Sequence, residues 1–215
     1  ADAVATVSDG IADALAHRYG VPRPTVISNT PAWQATAFRP TGRPVTVLYH
    51  GAVVPRRGLE TLIASVALWP ADFRLVIRGP AQGGFDQTLQ TLAAPFGERV
   101  SLEPPVPPDQ LIAAAAQADI GIFLLSNSTT HARFAMPTPA QMEAATPEVI
   151  EAAGCGALLG GDDPRAIADC LAALDIAAID TCKRAALAQA RSVNFDAEGT
   201  KLLSLIDRLA AGRRG

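Results

Sequence analysis

Residues 45–62 read VTVLYHGAVVPRRGLETL: an apolar strand runs into a glycine turn, then two adjacent arginines, then a helix. A helix start presents unpaired backbone N–H groups and the positive end of its dipole, so a glycine turn leading into one is a seat for phosphate. Gly51 lets a ligand approach the backbone, and Gly58 stands where the helix opens. Arg56 and Arg57 add fixed positive charge, and a guanidinium holds phosphate oxygens through two parallel hydrogen bonds. Together these residues describe a pyrophosphate site at the carboxyl end of a parallel strand, where open α/β sheets bind ligands. The same pair also reads as a solvated basic loop, and the stretch is neither a Walker A loop nor GxGxxG.

Other residue types with chemical potential are scattered. His131 and Arg133 follow the run DIGIFLL (119–125) and face the same cleft by fold logic, as phosphate or sugar contacts or as polar loop filling. His50 directly precedes the glycine turn, and His17 reads as a surface residue of an early helix. Cys155, Cys170 and Cys182 are odd in number with no CxxC spacing, so neither a disulfide framework nor a zinc site is signalled. No Ser-His-Asp order or pair of strand-end carboxylates can be argued.

The elements that must position these residues alternate. Six β-branched runs, at 3–8, 24–29, 45–51, 73–79, 99–104 and 119–125, lie between alanine- and leucine-rich helical stretches. That alternation predicts an α/β fold, a Rossmann-like doubly wound parallel sheet with helices on both faces. Ser8 and Asp9 cap a helix running to Tyr19, with Gly20 ending it in the left-handed conformation. A second helix runs from Leu59 to Leu68 before Pro70, and Pro108 with Asp109 and Asp163 with Pro164 open two more. The last, from about Asp196 to Leu209, carries Leu202, Leu203, Leu205, Ile206 and Leu209 on one broad face that must be buried against something.

Between residues 30 and 44, TPAWQATAFRPTGRP has a linker composition. Residues 1–30 before it form a single β-α-β piece, too small to bury its own sheet faces, and so read as the end of a domain whose beginning is absent. Residues 45–215 form the main domain.

At 215 residues, 49% hydrophobic and 18% charged with a net charge of −3, the chain is globular rather than disordered. It lacks the basic excess that broad attraction to nucleic acid requires, so any anion site is local. No apolar run reaches the roughly 18 to 20 residues that span a bilayer, and ADAVATVSDG lacks the features of a signal peptide, which makes a cytoplasmic setting the expectation.

VLYHGAVVPRRGLETLI resembles the opening strand, loop and helix of the C-terminal nucleotide-sugar-binding domain of GT-B glycosyltransferases, in the large retaining family 4 (group 1). The order continues with FRLVIRGP, RVSLEPPVPPDQLIAAAAQADIGIFLL, PEVIEAAGCGALLGGDDPRAIADCL and ARSVNFDAEGTKLLSLIDRL, so the similarity covers nearly the whole chain. Residues 1–31 resemble the last unit of such an enzyme's N-terminal domain. The resemblance places Arg57 on a lysine that contacts the donor diphosphate and Ala52 on a partner arginine, so half of the clamp is missing unless Arg56 substitutes. It also lays the loop at Pro105 and Val106 against the donor's base.

The family's second landmark, a glutamate pair spaced E-x7-E or a segment reading roughly MPNKLFEY, is only partly matched. Phe134 to Pro137 begin like that segment, but TPAQMEA replaces its continuation. In one register PEVIEAAGCG belongs to the element after the landmark; in the other, Glu143 and Glu151 stand as the pair. Both leave the region 131–161 short by about one β-α unit, through an evolved deletion, an engineered change or an omitted segment. Glu143 is the candidate for ribose or sugar contact, against a solvated helix-face glutamate.

The implied reaction is transfer of a hexosyl unit from a UDP- or GDP-sugar to a saccharide, lipid or small-molecule acceptor, with retention. Arg57 and Glu143 would be its catalytic residues, no metal or other cofactor is expected, and the acceptor site would belong to an N-terminal domain missing from this chain. As it stands the chain is then expected to be inactive alone, in the cytoplasm or peripheral at the inner face of the membrane. A different class of reading is a noncatalytic, degenerate α/β domain used for protein association. A dinucleotide-dependent oxidoreductase is disfavoured because no GxGxxG follows any strand.

Overall fold

The computed structural model describes residues 1–124, 154–157, 159 and 163–212. Its strands are β1 (Ala5–Thr6), β2 (Thr25–Val26), β3 (Val45–His50), β4 (Phe73–Arg78), β5 (Val100–Glu103) and β6 (Ile120–Gly121). The helices are α1 (Asp9–Tyr19), α2 (Leu59–Ser65), α3 (Phe85–Ala93), α4 (Leu111–Ala115), α5 (Pro164–Ala172), α6 (Ile176–Gln189) and α7 (Phe195–Gly212). Each of the six strand runs read from the sequence contains one of these strands. All pairings are parallel: β1 with β2, and a four-stranded sheet in the order β5-β4-β3-β6. The chain winds outward from β3 through β4 to β5 and then crosses back to lay β6 on the other side of β3, the doubly wound arrangement that the alternation predicts.

Local chemistry sets the helix ends. Ser8 accepts from the Ile11 N–H at the start of α1, and Gly20 closes it at φ 61° with its own N–H on the Ala16 carbonyl. Asp163 takes the N–H groups of Arg165 and Ala166 at α5, whose first residue is proline. Asp175 caps α6 through Ala178 N, and Asn194 receives Asp196 N and Ala197 N at α7. Such caps answer the N–H groups that a first turn leaves unpaired, at about 1 kcal/mol each.

Side chains alternate across the central strands, so the sheet has two differently built faces. Val45, Val47, Tyr49, Leu75 and Ile77 point into the main core with Leu59, Leu62, Ile63, Leu89, Ile167 and Leu171 from α2, α3 and α5. The opposite face mixes apolar Leu48, Val76 and Ile112 with polar Thr46, Arg74, His50 and Arg78. Asp119, its side chain only 2% exposed, anchors that face at the amino ends of the strands. Asp119 Oδ2 receives Thr46 N at 2.9 Å, while Oδ1 receives Lys183 Nζ of α6 at 2.9 Å and Arg39 Nη2 at 3.1 Å. Asp119 N in turn donates to Thr46 O at 2.9 Å.

Residues 31–44 contain no helix or strand, yet they are fixed in place. Gln34 donates to the Asp109 carbonyl, Arg39 reaches Asp119, Thr41 N donates to Asp180, and the Arg184 guanidinium lies 4.1 Å from the centre of the Phe38 ring. The segment therefore runs down the polar face of the sheet.

The leucine face of α7 departs from expectation. Leu202, Leu203 and Ile206 are 43%, 64% and 50% exposed. Among the described residues only the amino-terminal part of α7 is tied down. Buried Glu198 accepts from Ser28 N at 2.8 Å, and Phe195 N donates to Pro31 O at 2.9 Å. The two short strands β1 and β2 offer no surface broad enough to cover the rest.

Because Asp119 is buried with two cations and a backbone donor, Asp119→Ala should cost about 3 kcal/mol of unfolding free energy, by leaving Lys183 and Thr46 N without their acceptor. Arg39→Ala, which removes the more exposed partner, should cost under about 1 kcal/mol. Urea unfolding of both variants, compared at constant m value, measures the difference.

Candidate functional site

The loop after β3 is built on one close backbone approach. Gly51 N donates to Arg78 O at 3.0 Å, Val53 N to Pro80 O at 2.9 Å and Gln82 N to Val53 O at 3.4 Å, so the loop continues the parallel pairing of β3 with β4 beyond the sheet. Gly79 makes this possible: its φ is +154°, and a Cβ there would lie 1.8 Å from the Gly51 carbonyl oxygen. Only glycine fits. Val53, 3% exposed, plugs the top of the core beneath the loop.

A turn then leads into α2. Arg56 holds φ +70°, unusual for a residue with a side chain, and Gly58 also holds φ +70°. A Cβ on Gly58 would lie 2.9 Å from Leu124 Cδ1, so the turn sits down on the segment following β6. The N-cap of α2 is Gly58, and among the described residues no side chain caps its first turn. Arg57 is braced from below: its guanidinium carbon lies 5.8 Å from the centre of the Phe123 ring, which stacks at 5.9 Å and 11° on Tyr49. Tyr49, almost wholly buried, donates its hydroxyl to Ala52 O at 3.0 Å. Neither Arg56 nor Arg57 forms an ion pair among the described residues.

Gly51 also meets a neighbour within the chain. The near neighbour that its missing side chain admits is the Tyr49 hydroxyl, 3.2 Å from where a Cβ would stand. The close packing is internal to the chain.

At the same carboxyl edge, His50, Arg78 and Glu103 end β3, β4 and β5 side by side in register. Arg78, 14% exposed, donates Nε to Glu103 Oε2 at 3.0 Å, a second bond from Nη2 to the same oxygen, and Nη1 to the Ala114 carbonyl at 3.2 Å. The His50 Nδ1 is buried without a hydrogen-bond partner among the described residues. Burial first, and the Arg78 charge second, hold His50 below the usual histidine range.

The loop of Pro105 and Val106 rises from the same edge, with Pro105 exposed and Val106 half-buried. The sheet therefore brings Gly51, Arg56, Arg57, Gly58, Pro105 and Val106 to one end. His131, Arg133 and Glu143, and Glu151 of the second register, lie outside the described residues. Sequence reading missed Gly79, Tyr49, Phe123 and the Arg78–Glu103 pair. The signal available for the first was the strand-end sequence IRGP. Among the described residues no three His, Cys, Asp or Glu side chains converge as metal ligands. A groove of about 450 Å³ lies elsewhere, between Trp33, Gln34, Ala35 and Thr36 on one side and Leu187, Ala188, Ala190 and Arg191 of α6 and its end on the other; it shares no residue with the loop.

No protein-family model matches the chain, and no curated protein does. Solved structures do. A TarM variant from S. aureus, in complex with fondaparinux, α-GlcNAc-glycerol and UDP, matches 95% of this chain and 43% of its own at a TM-score of 0.73 and 14% identity. A glycosyltransferase from Rickettsia africae matches 97% of this chain and 63% of its own, with a TM-score of 0.71 and 14% identity. The lipopolysaccharide outer core galactosyltransferase WaaB gives 97%, 62%, 0.66 and 15% in the same terms. This chain thus shares the Rossmann-like α/β fold of GT-B glycosyltransferases and spans less than two thirds of the length of each of these three.

Two measurements probe the site's construction. Gly79→Ala must separate the two crossing backbones and should cost at least about 2 kcal/mol, read from the urea midpoint. The unfolded chain protonates His50 near pH 6.5, while the folded chain resists protonation until lower pH. Above about pH 6.5 His50 therefore leaves stability unchanged; below it the unfolded state binds more protons, so stability falls as pH drops toward the folded value. Thermal midpoints from pH 7.5 to 5 should decline less steeply in His50→Asn.

Proposed function

We propose that this chain is the donor-binding part of a GT-B glycosyltransferase of the retaining family 4 kind, transferring a hexosyl unit from a UDP- or GDP-sugar. The reading is carried by one observation: at the carboxyl edge of a glycosyltransferase-type sheet, a braced arginine without an anionic partner among the described residues stands beside a helix start that no side chain caps. One of the similar structures holds UDP.

In this reading the diphosphate lies against the turn at residues 55–58. Its oxygens accept from the first N–H groups of α2 and from Arg57, with Arg56 supplying the charge that Ala52 does not. As the glycosidic bond to the donor breaks, negative charge grows on the leaving diphosphate. Fixed donors aimed at that charge stabilise the transition state more than the ground state. Phe123, stacked on Tyr49, gives the exposed Arg57 guanidinium one cation–π contact, which favours the position that the donor would use. Pro105 and Val106 contact the base, and Glu143, His131 and Arg133 complete the sugar end. No metal is required for this charge stabilisation.

Residues 1–30 are then the last unit of the N-terminal domain, residues 31–44 the interdomain connection and residues 45–215 the donor domain. The acceptor, a saccharide, lipid or small molecule, is held mainly by the N-terminal domain. The protein acts in the cytoplasm, where nucleotide sugars are available; no helix among the described residues is long and apolar enough to cross a membrane.

Thermal unfolding with and without millimolar UDP or GDP tests the reading: at least one nucleotide should raise the midpoint. Arg57→Met should weaken that nucleotide about tenfold or more, the scale of a lost hydrogen bond to a charged group. No midpoint change with either nucleotide, or an unaltered affinity in Arg57→Met, would refute it.

A further inference from the structure

The row formed by His50, Arg78 and Glu103 lies beside the proposed diphosphate seat, and charge stabilisation by Arg57 does not use it. Its place in the winding is informative. In a doubly wound sheet the nucleoside of a bound nucleotide lies over the strands on one side of the phosphate turn. Here the two sides of β3 differ. Toward β6, the space beside the turn is occupied by Phe123, sandwiched between Arg57 and Tyr49, and by Leu124 against Gly58. Toward β4 and β5, the carboxyl edge is polar and ends in an exposed loop. Glu103 stands two strands from β3, roughly 9.5 Å at the usual strand spacing. A ribose and base extending from the diphosphate cover that distance.

The hydrogen bonding of Glu103 is lopsided. Both Arg78 donors converge on Oε2, while Oε1 accepts no hydrogen bond among the described residues and the side chain is 37% exposed. Arg78, itself bonded to Ala114 O, fixes the carboxylate through Oε2 and leaves Oε1 of this partly exposed side chain without a hydrogen bond among the described residues. A carboxylate can only accept. Guanine presents two adjacent donors, its N1–H and its exocyclic amino group, to such an acceptor. Uracil presents one N–H flanked by two carbonyl oxygens, which a carboxylate repels.

We propose that Glu103, held by Arg78, contacts the donor's nucleobase and selects guanine over uracil, making this a site for GDP-linked sugars. The proposal rests on the diphosphate reading above and adds the choice of base, which the loop sequence leaves open.

Calorimetric titration of the intact protein with GDP and with UDP tests it, using wild type, Glu103→Ala, Glu103→Gln and Arg57→Met. Wild type should bind GDP about tenfold or more tighter than UDP, the scale of one good side-chain-to-base pairing. Glu103→Ala should bring that ratio near one and Glu103→Gln should fall between, while Arg57→Met weakens both nucleotides and keeps the ratio. UDP bound as tightly as GDP, with both sensitive to Arg57→Met, overturns guanine selection and leaves the diphosphate seat standing. A preference for GDP that survives in Glu103→Ala also overturns it, as does an equal loss of both nucleotides there, which would put the carboxylate on the shared ribose. Binding of neither nucleotide to wild type removes the underlying reading and this one with it. If both Glu103 variants fail to fold, the wild-type ranking still decides.

Discussion

The carboxyl edge of this sheet depends on two backbones being allowed to touch. Where β3 and β4 end, Gly79 turns at φ +154° directly against the Gly51 carbonyl, and no side chain fits between them. That contact lets the loops after both strands keep pairing above the sheet, through Val53 with Pro80 and Gln82, before either turns away. Everything of chemical interest is suspended from this extension. It sets the height of the turn that carries Arg56, Arg57 and Gly58, and it leaves the ends of β3, β4 and β5 aligned beneath it.

A second constraint works at the opposite end of the strands. Asp119 gathers a backbone donor of β3, an arginine of the connecting segment and a lysine of α6 on one buried carboxylate. A charge that deep is tolerable because each oxygen is satisfied. The apolar face of the sheet needs no such device, since α2, α3 and α5 cover it with ordinary hydrocarbon packing. The polar face is held instead by a few long-range ties, which explains how a segment without helix or strand can lie across it in a defined path.

Features that depend on neighbours in sequence were legible beforehand. The strands announce themselves through β-branched runs, and the caps Ser8, Gly20 and Asp163 are residue types whose own side chain or backbone does the capping. The glycine turn with its paired arginines was equally visible, because strand, turn and helix are consecutive. What escaped depends on distant partners. Nothing near Asp119 foretells Arg39 or Lys183, and nothing near Arg57 foretells that Phe123 and Tyr49 form a stacked support under it. Gly51 was read as a point of ligand approach; that its lack of a side chain also makes room for the chain's own Tyr49 hydroxyl is something no local pattern contains. The stripe on α7 was read correctly as apolar, but apolarity alone does not say what lies opposite; Leu202, Leu203 and Ile206 stand exposed.

The two bonds at the root of α7 have a mechanical side. Glu198 holds Ser28, and Phe195 holds Pro31, so the chain's first thirty residues and the start of its last helix are fastened to one another. Two stretches far apart in sequence, one near residue 30 and one near residue 195, are thus joined through two bonds rather than one. A single hydrogen bond would let the two stretches pivot about it; a second bond removes that freedom. Loosening this end of the chain therefore requires both bonds to open together.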